Sequence, residues 1–262
     1  ICFDSNDDEI QKIKKSYKAK KFYNFRAYPY FIGKDNKVEV FNIYSSGGYS
    51  SKFKINEYYK ETFLKDIKLE KSFEIKSISL DSFIINEKLN PDLIKLDTQG
   101  SELEILQNSE FSLKRCLMIE TEVEIIPIYK NQPLFHDVSA FLYSKGFHSI
   151  YLNRVFMQKR FAKKPCRGQI TFCDALYVLN IENVLNLSID KQIKYILLLI
   201  NYGLIDSAIE LLDKNVEIEK NNPYLKKFLL PFRKNSKFSF LYSGLINWIF
   251  ISFMSLYKTN GL

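Results

Sequence analysis

The chain has 262 residues, of which 46% are hydrophobic and 26% are charged, so it is long enough to bury the full core of a soluble globular protein. This composition excludes the disordered, collagenous and disulfide-framework classes. The formal net charge of +8 favours nucleic acid, anionic lipid or an anionic substrate as a partner. The four cysteines show no CxxC or zinc-knuckle spacing, and we expect free thiols in a reducing compartment.

Short β-rich runs alternate with helical patterns from residue 1 to about residue 180, which predicts βαβ units around a largely parallel sheet. The runs 93–96 and 116–119 are almost continuously apolar, so we expect two central strands that are covered on both faces. The candidate strands are residues 1–4, 22–28, 38–44, 73–77, 93–97, 116–122, 149–153 and 170–179.

Two helices are predicted between these strands. The first spans residues 101–107, with Gly100 as a tight entry and Ser101 as the N-cap. The second spans residues 138–144 and ends where Gly146 offers a C-terminal cap.

The pattern becomes helical after residue 180, so we divide the chain into a first domain, 1–180, and a helical C-terminal extension, 181–262. Two amphipathic segments span residues 189–200 and 204–212. The run INYGLIDSAIELLDKN, followed by NNPYLKKFL, resembles one tetratricopeptide unit. A helical hairpin packed on the first domain is the simpler interpretation, because a single repeat has no neighbour to complete its core.

Residues 238–257 form a run of 20 residues without a charge, bounded by Lys237 and Lys258. Its length suits a membrane span, but its serines and its Tyr and Trp side chains favour a buried or an interfacial helix. All three alternatives stay open from the sequence alone.

The most informative segment is residues 90–106, which read NPDLIKLDTQGSELEIL. An apolar strand ends in a carboxylate, turns at a glycine and enters a helix with an acidic first turn. In an open α/β sheet this is the ligand-binding edge, where Asp97 and Gln99 are expected to project. Glu102 alone is explained by the preference of a first helical turn for acidic side chains.

This segment resembles the signature of the FkbM-type methyltransferase family, in which a strand like IKxDxxGxExxxL follows Pro-Asp. The segments SISLDSFI before it and EVEIIPIYKNQPLFHDVSAFLYSKGF after it extend the resemblance, and residues 170–179 resemble the antiparallel closing strand of the domain. The resemblance covers roughly residues 1–180. It implies a class I, Rossmann-like α/β fold, S-adenosylmethionine as the methyl donor and a hydroxyl oxygen as the usual acceptor.

The resemblance also suggests cofactor-binding residues. Asp4 ends the strand whose acidic residue accepts hydrogen bonds from the cofactor ribose, although an isolated Asp there also suits a turn cap. Ser50 and Ser51 match a serine pair that lines the cleft or caps the loop, and Gln99 belongs to the signature. The family's first strand and glycine-rich loop would lie before Ile1, so we expect an N-terminally truncated sheet and no tight S-adenosylmethionine binding by these 262 residues alone.

Asp97, Glu120 and His136 are the candidate catalytic residues, because an acceptor hydroxyl needs a base. His136 is equally explained as a surface residue. Glu120 and Glu122 point to one face of their strand and with Asp97 could hold a divalent cation. We prefer the simpler reading, without a metal, in which one binds the methionine amino group or caps a helix and the other is solvated.

The segment 154–168 carries six cations and no carboxylate, and the class I strand order puts it at the active-site edge. We expect it to bind an anionic acceptor or to be a solvated loop without a partner. No RRM, KH or helix-turn-helix pattern accompanies the charge, so a nucleic-acid partner is not predicted. The candidate substrate-binding residues are Arg154, Lys159, Arg160, Lys163 and Lys164.

The sequence therefore predicts a cytoplasmic S-adenosylmethionine-dependent methyltransferase that O-methylates a hydroxyl of a glycan or related metabolite. The alternative is a non-catalytic, degenerate methyltransferase fold that serves as an interaction or membrane-docking module. A methyltransferase domain within a larger glycan-modifying chain is a third possibility. Residues 223–262 carry six further cations and no acidic residue, which suits peripheral contact with an anionic membrane.

Overall fold

A computed structural model describes residues 1–19 and 24–233, and the uncharged run 238–257 lies outside the described residues. The chain forms two compact units, Ile1–Val178 and Leu179–Leu262. Within the described part, no helix is both long enough and apolar enough to cross a membrane.

The first unit holds all nine described strands and six of the helices. The strands are β1 (Cys2–Phe3), β2 (Ala27–Tyr28), β3 (Phe31–Ile32), β4 (Val38–Tyr44), β5 (Leu69–Ile78), β6 (Leu93–Leu96), β7 (Met118–Glu124), β8 (Phe147–Met157) and β9 (Gln169–Leu179). The helices are α1 (Asp7–Ala19), α2 (Glu57–Phe63), α3 (Leu80–Asn86), α4 (Glu102–Gln107), α5 (Glu110–Leu113) and α6 (Phe135–Ser144).

The largest sheet has four strands in the order β6, β7, β9, β8. β6 and β7 are parallel, with Lys95 beside Glu120, and β9 runs antiparallel to β7, with Asp174 beside Glu122. The predicted closing strand is thus present and has the expected direction. Parallel strands end at a common edge, so the loops that follow β6 and β7 lie together.

The expectation of one largely parallel sheet is wrong for the rest of the unit. β1 and β2 form a separate parallel pair, and β4 and β5 form a long antiparallel ribbon that β3 joins in parallel. The reason is visible in β5, where polar and apolar residues alternate. Such a strand suits an antiparallel ribbon with one solvent-exposed face better than a sheet that helices cover on both faces.

The two strands that we predicted to be central differ in burial. Every residue of β7 is buried, which confirms the prediction for that strand. β6 lies at the end of the described four-stranded sheet, and Leu93 and Lys95 are exposed while Ile94 and Leu96 are buried. The prediction that β6 is covered on both faces is therefore wrong, because only the face that carries Ile94 and Leu96 is buried.

The predicted helices are present with small differences. Gly146 ends α6 with φ of 86°, as expected for a C-terminal glycine. Ser101 does not cap α4 with its side chain, since its hydroxyl donates to the Thr98 carbonyl instead. α1 and α2 were not predicted; α2 is capped by Asn56, whose side chain accepts from Tyr59 N.

A core cluster of apolar and aromatic residues packs around α2 and the chain that follows β7. Its buried members are Tyr44, Ile55, Tyr59, Phe63, Leu64, Ile67, Ile128 and Tyr129. Tyr129 and Tyr59 are among the largest fully buried side chains of the protein. This cluster fixes the position of Tyr129, which reaches the candidate site.

The described part of the second unit, residues 179–233, is helical. Its buried Gln192 donates to the Leu185 and Leu187 carbonyls and accepts from Asn215, so one amide joins three segments. The helices are α7 (Ile181–Leu185), α8 (Ile189–Asn201), α9 (Ile205–Lys214), α10 (Val216–Asn221) and α11 (Pro223–Leu229).

Candidate active site

The loop between β6 and α4 reverses through two residues with positive φ, Gln99 at 54° and Gly100 at 99°. A side chain on Gly100 would meet the rings of Phe53 and Tyr129 at 3.4 Å, and its φ disfavours any other residue. Ser51 donates its hydroxyl to the Gln99 carbonyl at 2.6 Å. The hydrogen bond from Ser51 therefore helps to hold Gln99 in a positive-φ conformation that is unfavourable for a residue other than glycine.

The side-chain amide of Gln99 connects three functional groups. Its nitrogen donates to Asp97 Oδ1 at 2.9 Å and to Glu122 Oε1 at 3.1 Å. Its oxygen accepts from the Tyr129 hydroxyl at 2.8 Å. An amide nitrogen has two hydrogens, so it satisfies both carboxyl groups at once. Asp97 is exposed, whereas Glu122 is buried beneath it.

Four carboxyl groups, Asp97, Glu102, Glu122 and Glu124, meet at this edge, and we call them the acidic cluster. Burial, followed by the charges of Asp97 and Glu124, raises the pKa of Glu122 to about 9. Burial, followed by the charge of Glu102, raises the pKa of Glu124 to about 8. Glu122 and Glu124 therefore hold protons at neutral pH.

Glu102 is the buried carboxyl group at the start of α4. Its Oε1 accepts from Thr98 N at 2.6 Å and from the Thr98 hydroxyl at 2.9 Å. Burial raises its pKa and outweighs these hydrogen bonds, which act in the opposite direction. The first-turn interpretation of Glu102 thus covers only part of its role, because this carboxyl group also closes the loop after β6.

Glu124 carries an unsatisfied oxygen. The residue is 2% exposed, and its Oε1 has no hydrogen-bond partner among the described residues. A buried carboxyl oxygen without a partner is costly, so such an atom indicates a missing partner. Within the described part of the chain, no group of three or more His, Cys, Asp or Glu side chains is arranged to hold a metal ion.

Phenol groups form the apolar wall of the site. Burial raises the pKa of Tyr129, Tyr59 and Tyr49 above the ordinary value, and the charge of Glu122 contributes at all three. The Tyr59 hydroxyl lies 3.0 Å from Met157 Sδ at the end of β8. These phenols therefore act as neutral hydrogen-bond donors near Glu122.

The structure brings three of the candidate residues together: Asp97, Gln99 and Ser51. Ser51 is fully buried, and its oxygen also accepts from Phe53 N. Ser50 caps its own loop, because its hydroxyl accepts from Tyr44 N at 3.3 Å.

The other candidates make their contacts elsewhere. Asp4 ends β1 and accepts from Asn6 N at 2.7 Å, which is a turn-capping contact. Glu120 forms an ion pair with Lys95 at 2.6 Å. His136 lies in the first turn of α6 with a side chain that is 75% exposed, 3.5 Å from Asp137.

The cationic segment 154–168 covers the end of β8 and the loop to β9. Arg160 anchors this loop to α2, through its backbone N to the Thr62 carbonyl and its guanidinium to the Leu64 carbonyl. Lys163 and Lys164 are exposed. The loop begins at Met157, which contacts Tyr59, so it is fixed on the aromatic wall of the site.

Two residues of the site were not singled out from the sequence. Glu124 continues the alternation of Glu120 and Glu122 on β7, and this period-2 pattern is the signal that would have found it. Tyr129 lies in an irregular segment, where no sequence pattern indicates that its hydroxyl reaches Gln99.

Comparison with known proteins gives one match. The family model described as the Methyltransferase FkbM domain matches residues 9–149, which is more than half of the chain. No curated protein and no solved structure matches the chain.

Proposed function

The chain belongs to the FkbM methyltransferase family and is a methyltransferase, and on that premise we propose that it uses S-adenosylmethionine to O-methylate a hydroxyl group of a glycan or related metabolite. The observation that carries the proposal is the exposed Asp97 carboxylate, held through Gln99 by the buried Glu122 and Tyr129. The edge formed by the carboxyl ends of β6 and β7 is where open α/β sheets bind their ligands.

The residues at this edge fit a positively charged donor. S-adenosylmethionine, when bound, supplies a methyl group on a sulfonium sulfur. The acidic cluster offers negative charge, and Glu124 Oε1 is a buried acceptor without a partner among the described residues. Asp4, at the end of β1, is the candidate for the ribose hydroxyls, since its turn-capping contact uses only Oδ1.

Asp97 is the proposed base for the acceptor hydroxyl. The Gln99 amide fixes one of its oxygens, so the carboxylate keeps a single orientation toward solvent. Proton transfer to the carboxylate frees the electron pair with which the acceptor oxygen takes the methyl group. Glu122 accepts from the same Gln99 amide, so the bridge persists while Asp97 changes charge.

The cationic segment 154–168 is the proposed binding site for a negative group on the acceptor. Its candidate residues, Arg154, Lys159, Arg160, Lys163 and Lys164, form no ion pair with an acidic side chain of the described chain. Unpaired cations on an anchored loop attract an anionic ligand over several ångströms. We therefore expect a phosphorylated, uronic or nucleotide-linked acceptor.

The test is methyl transfer by the protein, expressed with any residues that its coding sequence places before Ile1. Wild type, Asp97→Asn and Glu74→Gln are incubated with S-adenosylmethionine and a panel of charged and neutral hydroxylated glycans, and S-adenosylhomocysteine release is measured. We expect Asp97→Asn to lower the transfer rate about 100-fold or more because the base is lost. Glu74 is an exposed carboxylate on β5 and serves as the matched control.

Two results would contradict the proposal. One is an Asp97→Asn variant that turns over at the wild-type rate. The other is a folded wild-type protein that binds neither S-adenosylmethionine nor S-adenosylhomocysteine.

A further inference from the structure

More carboxyl groups are gathered at the site than the described chain provides cations to pair with. Asp97, Glu102, Glu122 and Glu124 surround the loop after β6, and the last three are buried. Lys52 and Lys95, which belong to the same unit, form their ion pairs with Glu104 and Glu120, and Lys52 also acts on Glu102 through its charge. Among residues 1–19 and 24–233, no Lys, Arg or His forms an ion pair with any of the four.

The neutral partners of the acidic cluster are also limited. Gln99 donates hydrogen bonds to Asp97 and Glu122, and Thr98 donates to Glu102. Gln132 hydrogen-bonds the Glu124 carboxyl group, but Glu124 Oε1 receives no hydrogen bond from the described residues, although the residue is almost completely buried. Glu124 lies on the same face of β7 as Glu122, two residues further toward the edge, so its carboxyl group belongs to the same cluster.

A buried carboxyl group without a cation nearby has two ways to reduce its cost: it keeps a proton, or it binds a positively charged ligand. The first state applies in the free protein, where Glu122 and Glu124 have raised pKa values. A metal arrangement is absent from the described residues. The remaining choice is an organic cation, whose diffuse charge needs no fixed coordination geometry.

We propose that the acidic cluster is the receptor for the positive charge of the methyl donor, so that the protein binds the sulfonium donor in preference to its neutral thioether product. This rests on the proposed function, since it assumes that S-adenosylmethionine is the donor. It adds a property of these particular residues: they discriminate donor from product by charge.

The charge balance of the reaction explains how a preference for the donor over the product would help turnover. During transfer the S–CH3 bond breaks, its electron pair stays on sulfur, and the methyl group bonds to the acceptor oxygen. The hydroxyl proton passes to Asp97. The sulfur and Asp97 are then both neutral. When Asp97 returns its proton to solvent, the ionised members of the acidic cluster are left without a counter-charge. Glu122 and Glu124 regain protons from solvent, and the product dissociates more readily than the donor.

Binding of the donor is therefore linked to pH. A cation next to Glu122 and Glu124 favours their ionised forms, so the donor releases protons on binding and binds more tightly as pH rises toward their pKa values. The product carries the same amino-acid and nucleoside groups, so the titration of the ligands themselves cancels in the ratio of the two affinities. The groups of the protein that act on Glu122 are Asp97, Glu102, Glu124, Asp174, Tyr49, Tyr59, Tyr129 and the Gln99 amide.

The experiment is calorimetric titration of the full-length protein with S-adenosylmethionine and with S-adenosylhomocysteine. The quantity compared is the ratio of the two dissociation constants in wild type, Glu122→Gln, Glu124→Gln and Glu74→Gln. We expect Glu122→Gln and Glu124→Gln each to lower the preference for the donor about tenfold, because a neutral amide replaces a carboxylate near the cation. Glu74→Gln, which removes an exposed carboxylate of the same unit, leaves the ratio unchanged.

A second measurement needs no variant and covers the case in which a substitution prevents folding. Wild type is titrated at pH 6.5 and at pH 8.5, in buffers of low and high ionisation enthalpy. We expect proton release with S-adenosylmethionine and none with S-adenosylhomocysteine, together with a donor preference that increases with pH.

The outcomes separate the two proposals. If both ligands bind and neither the ratio nor proton release depends on pH or on the two variants, the charge-receptor inference is wrong and the methyltransferase assignment stands. If neither ligand binds the folded full-length protein, both proposals fail.

Discussion

Gln99 is the residue on which the candidate site depends. It is a non-glycine residue with a φ of 54°, a conformation that costs about 1 kcal/mol or more. Contacts from three separate parts of the chain offset this cost: Ser51 binds its carbonyl, Tyr129 binds its amide oxygen, and Glu122 accepts from its amide nitrogen. The strained loop is therefore a consequence of the tertiary structure, and its effect is to fix Asp97.

Glu122 should make the stability of the protein depend on pH. Its folded-state pKa is about 9, above the ordinary value of 4.5, so between these values the folded protein keeps a proton that the unfolded chain has released. Stability therefore falls as pH rises from about 5 to about 9, by up to about 1.4 kcal/mol per pH unit for this group. Glu124, with a pKa of about 8, adds to the slope over a narrower range.

We expect Glu122→Gln to reduce this slope, because the amide has the shape of the protonated acid and does not titrate. Urea unfolding of wild type and variant at pH 5.5, 7 and 8.5 measures it. Glu74→Gln should keep the wild-type slope. Identical slopes in Glu122→Gln and wild type would mean that Glu122 is ionised in the folded protein.

At the scale of the elements, the site depends on the loop that follows β6, on the parallel strand β7 and on the loop that follows β8. The loop after β6 supplies Asp97 and Gln99, and β7 supplies Glu122 and Glu124. The loop after β8 is the cationic segment, anchored by Arg160 to the chain at the end of α2. The acidic residues and the cations thus lie on different elements at one edge of the sheet. The acidic residues are therefore available for a cationic ligand, and the cationic segment is available for an anionic one.

Gly168 holds the end of the cationic segment in place. Its φ is 75°, and a Cβ there would lie 2.8 Å from the Met157 carbonyl oxygen, which is backbone and has little freedom to move. Gly168→Ala should therefore destabilise the first unit by about 1–3 kcal/mol and displace the loop. Urea unfolding measures the first effect, and weaker binding of an anionic acceptor measures the second.

Gly47→Ala is the matched control for this substitution. A Cβ on Gly47 meets no atom within 4 Å, and its φ is not in the left-handed region. We expect a change in stability below about 0.5 kcal/mol. Equal effects at the two glycines would show that the clash at Met157 does not determine the loop conformation.

For the whole molecule, ion pairs already neutralise part of the positive charge that the sequence shows in residues 223–262. Of the six cations in residues 223–262, Lys226 pairs with Glu219 at 2.7 Å and Arg233 pairs with Asp213. Lys227 is exposed, and Lys234, Lys237 and Lys258 lie outside the described residues. The cations expected to contact an anionic membrane are therefore those that flank the uncharged run 238–257.

Removal of residues 234–262 should abolish binding to vesicles that contain anionic lipid, because both the uncharged run and its flanking lysines are lost. Vesicle sedimentation with anionic and with neutral lipid measures the effect. Replacement of Lys234, Lys237 and Lys258 by Gln should weaken binding to the anionic vesicles only. Equal binding with and without the segment would refute a membrane role for it.

The strength of the sequence signals explains which parts of the site were predicted. Asp97, Gln99 and Gly100 stand in a strand–turn–helix pattern with a distinct residue order, so both their proximity to the sheet edge and the family were readable from residues 90–106. The buried partners were not readable: the Tyr129 hydroxyl reaches Gln99, which is distant in the chain, and Glu124 meets Glu102 only because both are buried at the same edge. His136 and Glu120 are chemically suitable bases, yet their contacts lie elsewhere: His136 lies beside Asp137, and Glu120 pairs with Lys95.

The sequence by itself determined the family, and with it the antiparallel closing strand β9, because residues 90–106 and their flanking segments resemble the family signature. It also determined the strand before Asp97, the buried strand β7 and the helices that follow residue 180, because hydrophobic periodicity and local turn chemistry are encoded within a few neighbouring residues. Only the tertiary structure decided that β4 and β5 leave the main sheet, that β6 is exposed on one face, and that Gln99 joins Asp97 to Glu122 and Tyr129. These features depend on contacts between distant segments. Burial and charge at such contacts, and not the residue types alone, set which carboxyl groups keep their protons.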